Sequence, residues 1–243
     1  IAVIYAQGDI SSGEGDNLSI GSVTTSKAIK EAREDERVKA IVLRVNSPGG
    51  SALASETILR EMELAKATKP VVVSMGDVAA SGGYYISCKA DTIVASPTTI
   101  TGSIGVFGML FNLENMMENK LGITTDRVKT NSYADLGSLT RALTTNERDI
   151  IQNQVKRIYD TFITNVSEGR NMTKSAVDSI GQGRVWSGDD AKKIGLVDIY
   201  GGLEKAISTA SKFQLFELND EFTRAMFRNM TEPFLRDVKG RRG

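Results

Sequence analysis

The 243-residue chain balances thirty Lys and Arg against thirty Asp and Glu, has one cysteine and contains no histidine. Zero net charge argues against both nucleic-acid binding by a global basic field and acidic disorder, and the length suffices for one sizeable core plus an appendage. Without histidine or a CxxC pair there is no imidazole triad within the chain and no zinc ligand set is expected; no metal and no cofactor are expected, and the lone Cys88 forms no internal disulfide.

The chain opens on a strand-like Ile1-Ala-Val-Ile-Tyr5, with no initiator methionine and no basic-then-apolar leader. A fragment or processed product is expected from that opening. No apolar run approaches the roughly 18 to 20 residues of a membrane span. Ser11-Ser-Gly-Glu-Gly-Asp16 reads as a flexible loop and lacks the Gly-Lys-Ser/Thr ending of a phosphate-binding loop. Thr24 to Arg37 reads as an amphipathic helix, and Val38 to Val45 as a strand that runs into Asn46-Ser-Pro-Gly-Gly50.

Ser51 to Lys69 is predicted helical, followed by a strand at Pro70 to Ser74, the segment Ala79-Ala-Ser-Gly-Gly-Tyr84 and a fourth strand at Asp91 to Ala95. Short β-branched runs alternating with helices indicate βαβ units and a buried parallel sheet. Past Thr101-Gly-Ser-Ile-Gly105 the pattern becomes mainly helical. Thr144 and Glu147 form a capping-box pattern that opens a helix to about Gly169. Shorter helices are expected at Thr173 to Ile180, Gly188 to Ile194 and Leu203 to Lys212. A main domain over residues 1–212 would then precede a tail at 213–243, in which Arg224 to Gly243 carries six Lys/Arg against two carboxylates. That tail reads as a frayed terminus or as a basic patch for a membrane or partner.

Ser81 has the setting of a nucleophile, but a serine hydroxyl needs a base to take its proton. Ligands of open α/β sheets bind at the carboxyl ends of the strands, which gathers Asn46–Gly50, Ala79–Tyr84 and Thr101–Gly105 into one site. Gly49 and Gly50 leave room for backbone N–H groups to face a cavity, and the Gly82 N–H beside Ser81 is a natural second oxyanion donor near a helix start. Each segment alone reads as an ordinary turn. Their joint occurrence after three successive parallel strands points to acyl-transfer chemistry. Tyr84 and Tyr85 read as packing residues and Cys88 as a small buried hydrophobe.

At these residues the chain resembles the signal peptide peptidase A family, also called protease IV, whose fold is shared with the Clp proteolytic subunit and the crotonases. The resemblance rests on Val42-Leu-Arg-Val-Asn-Ser-Pro-Gly-Gly50, Ala79-Ala-Ser-Gly-Gly-Tyr84, Leu139-Thr-Arg-Ala-Leu143, Val185-Trp-Ser-Gly188 and Ala191-Lys-Lys-Ile-Gly-Leu-Val-Asp198, and runs from Ile1 to about Ala210. It implies an α/β fold with a βαβ spiral core and a mainly helical C-terminal portion. It further implies a serine peptidase with a Ser-Lys dyad, Ser81 as nucleophile, Gly82 with Gly49 and Gly50 as the oxyanion hole, and Ser103 orienting the lysine.

In short members of the family the lysine sits where this chain has Ala134. In long members two homologous halves share the site, and the lysine comes from the N-terminal half. Ala134 and the start at Ile1 both fit a C-terminal half of such a protein, and an engineered change at position 134 in a short member is the alternative. Lys129 lies close in sequence to position 134 and Lys89 lies on the helix after Ser81, and both read as surface charges. The resemblance implies remnant signal peptides and other extended apolar peptides as substrates, and the N-terminal half as a partner. It also implies a homo-oligomer, a tetramer or larger ring or dome, and a bacterial inner-membrane anchor with this domain on the extracytoplasmic side. Two other readings stay open: a crotonase-type acyl-CoA enzyme, and a catalytically silent assembly half.

Overall fold

The computed structural model describes residues 1–16 and 18–215, with side chains to residue 213. The chain runs β1 (Ala2–Gln7), β2 (Asp9–Ser11), β3 (Ser19–Gly21), α1 (Ser22–Glu34), β4 (Ile41–Ser47), α2 (Ala52–Lys66), β5 (Val71–Ala80), α3 (Gly82–Tyr85), β6 (Thr92–Ala95) and β7 (Ile100–Gly102). It continues through α4 (Glu114–Leu121), α5 (Thr145–Arg170), α6 (Lys174–Ile180), β8 (Val185–Ser187), α7 (Gly188–Lys193), β9 (Ile199–Tyr200) and α8 (Leu203–Leu215).

A parallel sheet in the order β1-β4-β5-β6-β9 forms the centre, with β7 added beside the far end of β5 and β8 pairing antiparallel to β7. Val71, Val72 and Val73 are all fully buried, as are Ile41, Val42 and Leu43. Such unbroken runs suit strands covered on both faces. Alternate residues supply the two layers: Ile41, Leu43, Val71 and Val73 join Ile29, Ile58, Leu59 and Phe162 in the larger core, while Val42, Val72 and Val94 pack against Ala206 and Ala210 of α8.

All four strands expected from the first half are present. β5 is longer than expected because it changes neighbours along its length. Residues 72–74 pair with β6, and residues 78–80 pair with β7. The register shift in β4 between Val45 and Ser47 accompanies this bend, where the side chain of Asn46 replaces a ladder bond by accepting from the Val78 N–H at 3.1 Å. The segment Ser11–Asp16 is a loop apart from Ser11 itself, which closes the β2–β3 parallel pair that the sequence reading lacked. Strands of two or three residues, such as β7, β8 and β9, carry too little periodicity to be legible in sequence.

The capping box is formed: Thr144 Oγ1 accepts from the Glu147 N–H at 3.3 Å, and the Glu147 carboxylate accepts from the Thr144 N–H at 2.8 Å. α5 divides along its length. Ile150 is exposed, whereas Phe162 and Val166 are buried in the core. The final helix runs past the expected Lys212 to Leu215, and the expected basic tail lies, from residue 216, outside the described residues.

Candidate active site

β5 ends at Ala80 and β7 ends at Gly102, and these two residues are register partners in adjacent parallel strands. Ser81 and Ser103 therefore leave the sheet side by side at its carboxyl edge. The Ser81 N–H donates to the Gly102 carbonyl at 2.9 Å, which fixes the start of one turn against the end of the other strand. Both serines have positive φ, 52° at Ser81 and 48° at Ser103. Non-glycine residues seldom adopt such conformations unless the surroundings impose them.

Asn46–Gly50 follows β4 and meets this pair. Gly49 has φ 114°, and a Cβ there would lie 2.7 Å from the Gly82 nitrogen and 2.8 Å from Ser81 Cβ, so only glycine permits the approach. The Gly49 N–H itself donates to Ser47 Oγ at 3.1 Å. Gly49 thus contributes space, and the donor falls to its neighbour. Among the described residues the N–H groups of Gly50 and Gly82 have no acceptor. A Cβ on Gly82 would come within 3.2 Å of the Gly50 nitrogen, so the two donors sit close together. α3 is a single turn whose helix dipole is small. The free N–H groups supply the electropositive character instead.

Ser81 stands at the junction of two cavities. One, of about 730 Å³, is lined by Gly49, Gly50, Ser81, Ser103, Lys156 and Tyr159, among others. The second, of about 290 Å³, lies toward α2 and is bounded by Ser55, Gly82, Tyr85, Val106, Ile158 and Phe162. Tyr85 and Phe162 pack with ring centroids 4.7 Å apart, and the Tyr85 hydroxyl is held by Glu56 and Asn165. Ile104 is fully buried beneath the site, while Phe107 is exposed at the rim of both cavities.

The residues singled out from the sequence thus divide. Ser81, Ser103, Gly49, Gly50 and Gly82 are brought together. Ala134 lies in an exposed turn and lines neither cavity that contains Ser81. Lys89 is bound to Glu63 at 2.6 Å and Glu168 at 2.7 Å; partial burial alone would lower its pKa, but the two carboxylates outweigh it and raise it, the wrong direction for a base. Lys129 pairs with Asp135 at 3.2 Å. Cys88 is buried, and desolvation pushes its thiol up to about 12, which leaves it inert.

Lys156 was not singled out from the sequence. It lies in the wall of the larger cavity on a stripe of α5 formed by Gln152, Val155, Lys156 and Tyr159, the i, i+3, i+4, i+7 spacing that would have grouped them. Lys156 is exposed and has no salt-bridge partner among the described residues.

Two motifs of the resemblance act as supports. Trp186 packs so closely on Gly102 that a Cβ there would lie 2.7 Å from its ring. Arg141 is buried between Asp135 and Glu147, which ties the turn around Ala134 to the start of α5.

The family model for peptidase family S49 matches residues 63–217. The chain is 49% identical over 213 residues to Protease 4 of Salmonella typhi and 46% identical to Protease 4 of Haemophilus influenzae, in both cases covering 87% of this chain and 34% of the relative. It is 39% identical over 228 residues to the chloroplastic serine protease SPPA of Arabidopsis thaliana, covering 92% of this chain and 34% of that protein. The chain thus spans about a third of the length of these relatives. Among solved structures, a ClpP1 mutant from Listeria monocytogenes aligns with a TM-score of 0.57 at 15% identity, covering 84% of this chain and 94% of that one, which shows the shared fold. The sequence matches and the glycine-framed serine site lead to the same conclusion: the chain belongs to peptidase family S49.

Proposed function

We propose that this chain is the nucleophile-bearing part of a serine endopeptidase that works through a Ser-Lys dyad. The observation that carries the reading is the meeting of Ser81 with two unengaged N–H groups, Gly50 and Gly82, and with Ser103 just past the neighbouring strand. Ser81 Oγ attacks the scissile carbonyl, the two N–H groups hold the developing oxyanion, and Ser103 orients the lysine that takes and returns the proton.

The lysine is assigned to a homologous half outside this chain. Lys89 and Lys129 are engaged by carboxylates, Lys156 is exposed, Ala134 has no amine, and the relatives are about three times as long. Residues 1–212 would form the peptidase unit, with the remainder a tail or extension. Extended apolar peptides such as cleaved signal peptides are the proposed substrates, with the recess between Tyr85, Ile158 and Phe162 taking an apolar side chain. A homo-oligomer anchored at the bacterial inner membrane, with this domain on the extracytoplasmic side, is the proposed setting. Among the described residues no helix is long and apolar enough to cross a membrane.

The test is carried out in the full-length protein. Ser81→Ala is expected to abolish peptidase activity and labelling by a serine-directed fluorophosphonate, and the isolated chain is expected to be nearly inactive. Peptidase activity that survives Ser81→Ala overturns the assignment. Absence of labelling in the unmodified protein would favour a silent assembly half, and tight acyl-CoA binding a crotonase-type enzyme.

A further inference from the structure

Tyr159 reaches the wall of the larger cavity from α5, yet its hydroxyl is bonded to the protein in both directions. It donates to Asp178 Oδ1 on α6 at 2.7 Å and accepts the backbone N–H of Gln182 at 3.1 Å. Burial and the Asp178 carboxylate both raise its pKa, so the proton stays on the oxygen.

Gln182 has φ 58°, a left-handed conformation that a glutamine keeps only when something holds it. The turn it opens is stitched to the residues around Ser103. The Ser103 N–H donates to the Arg184 carbonyl and the Gly183 N–H to the Ile104 carbonyl, both at 2.8 Å. The two backbones lie so close that a Cβ on Gly105 would be 2.7 Å from the Gly183 nitrogen. Three side-chain braces come from the α6 side, with Arg184 donating to the Ser179 carbonyl at 2.5 Å, Trp186 to the Ile180 carbonyl at 3.0 Å, and the Gln182 amide weakly to Asp178 Oδ2 at 3.5 Å. The brace from α5 is Tyr159.

We propose that Tyr159 is a positioning residue for the peptidase reaction, its hydroxyl holding the Gln182–Arg184 turn and, through that turn, Ser103. This rests on the assignment of Ser103 as the hydroxyl that orients the base. Removing one bond at Gln182 frees a strained residue to relax, and the displacement passes through two backbone hydrogen bonds to Ser103. Small misplacements of groups that orient a reacting atom cost rate more than they cost binding.

The experiment compares Tyr159→Phe, Ser103→Ala and the double variant in the full-length protein, reading kcat, KM and the rate of fluorophosphonate labelling at Ser81. Tyr159→Phe alone is expected to lower kcat and the labelling rate by about tenfold with KM unchanged, the size of one lost hydrogen bond. In the Ser103→Ala background it is expected to cost nothing further, because the group it positions is gone. Equal losses in both backgrounds, a rise in KM alone, or no loss at all overturns the proposal. If Tyr159→Phe does not fold, Asp178→Ala, which removes the acceptor of both the Tyr159 hydroxyl and the Gln182 amide, takes its place in the same cycle with the same expectations. A Ser81→Ala protein that keeps its activity sinks the nucleophile assignment and this role with it. Equal losses in both backgrounds alongside an inactive Ser81→Ala sink only the role of Tyr159.

Discussion

Ser81 and Ser103 are the first residues past two parallel strands whose ends are in register, Ala80 opposite Gly102, and both are held at positive φ. Two hydroxyls 22 positions apart in sequence thereby share one edge of the sheet. The backbone conformation that presents them is costly for any side chain, and the glycines packed around them, Gly49, Gly82 and Gly102, leave no room for a Cβ.

The strain at Ser81 is measurable. Ser81→Gly is expected to raise stability by about 1 kcal/mol relative to Ser81→Ala, because glycine relaxes a φ of 52° that alanine must still tolerate. Both variants should be inactive. Denaturant midpoints that coincide for the two variants would show that the turn is not strained.

Gly49 and Gly50 should fail in different ways. A methyl group on Gly49 points at the Gly82 nitrogen and Ser81 Cβ, so Gly49→Ala is expected to lower turnover by about 10²-fold or more by filling the oxyanion site. A methyl group on Gly50 would lie 2.1 Å from the Ile10 carbonyl oxygen, so Gly50→Ala should first disrupt the packing of β2 and appear as lost stability. Turnover and thermal unfolding measured on both variants separate the two effects.

The lysines give a direct test of where the base lies. In the full-length protein Lys89→Met, Lys129→Met and Lys156→Met are each expected to retain kcat, since the first two are engaged by carboxylates and the third is exposed. Loss of turnover confined to Lys156→Met, with folding intact, would move the base into this chain.

The recess beside Ser81 should set side-chain preference. Ile158 lines it from α5 and is only partly buried, so Ile158→Phe can narrow the recess without overpacking the core. Peptides with a bulky apolar residue at the cleavage site should lose kcat/KM while those with alanine there keep it. An unchanged ranking across such a peptide series would place side-chain selection elsewhere.

The Arg141 cluster predicts an acid transition in the turn around Ala134. Hydrogen bonds from Arg141, then from Thr144, hold the Glu147 carboxyl at about 2 against an ordinary 4.5. A carboxyl with a depressed folded-state pKa stabilises the fold fully above its ordinary value, and loses that contribution as pH falls through the depressed one. Amide protection in residues 131–144, corrected for the intrinsic pH dependence of exchange, should therefore fall between about pH 4.5 and 2, and Glu147→Gln should lessen that fall, leaving the part that Asp135, also depressed by Arg141, contributes.

Much of the candidate site is legible in the sequence because its chemistry is written in local segments. The cap at Thr144, the βαβ alternation and the three glycine-bearing turns each depend on residues close in sequence, where periodicity and side-chain type act directly on the backbone. The sequence could not indicate that Gly49 gives space while Gly50 gives the donor, since the difference is one hydrogen bond to Ser47. Nor could it show that Lys156 faces the cavity or that Tyr159 braces the turn beside Ser103, because those depend on how α5 is rotated against the sheet. Composition by itself excluded an imidazole from within this chain, and local pattern singled out Ser81 as the candidate nucleophile. Only the tertiary structure decided which backbone groups stay unpaired, which lysines are neutralised by carboxylates, and which strand ends meet, since each is a long-range contact fixed by packing and register.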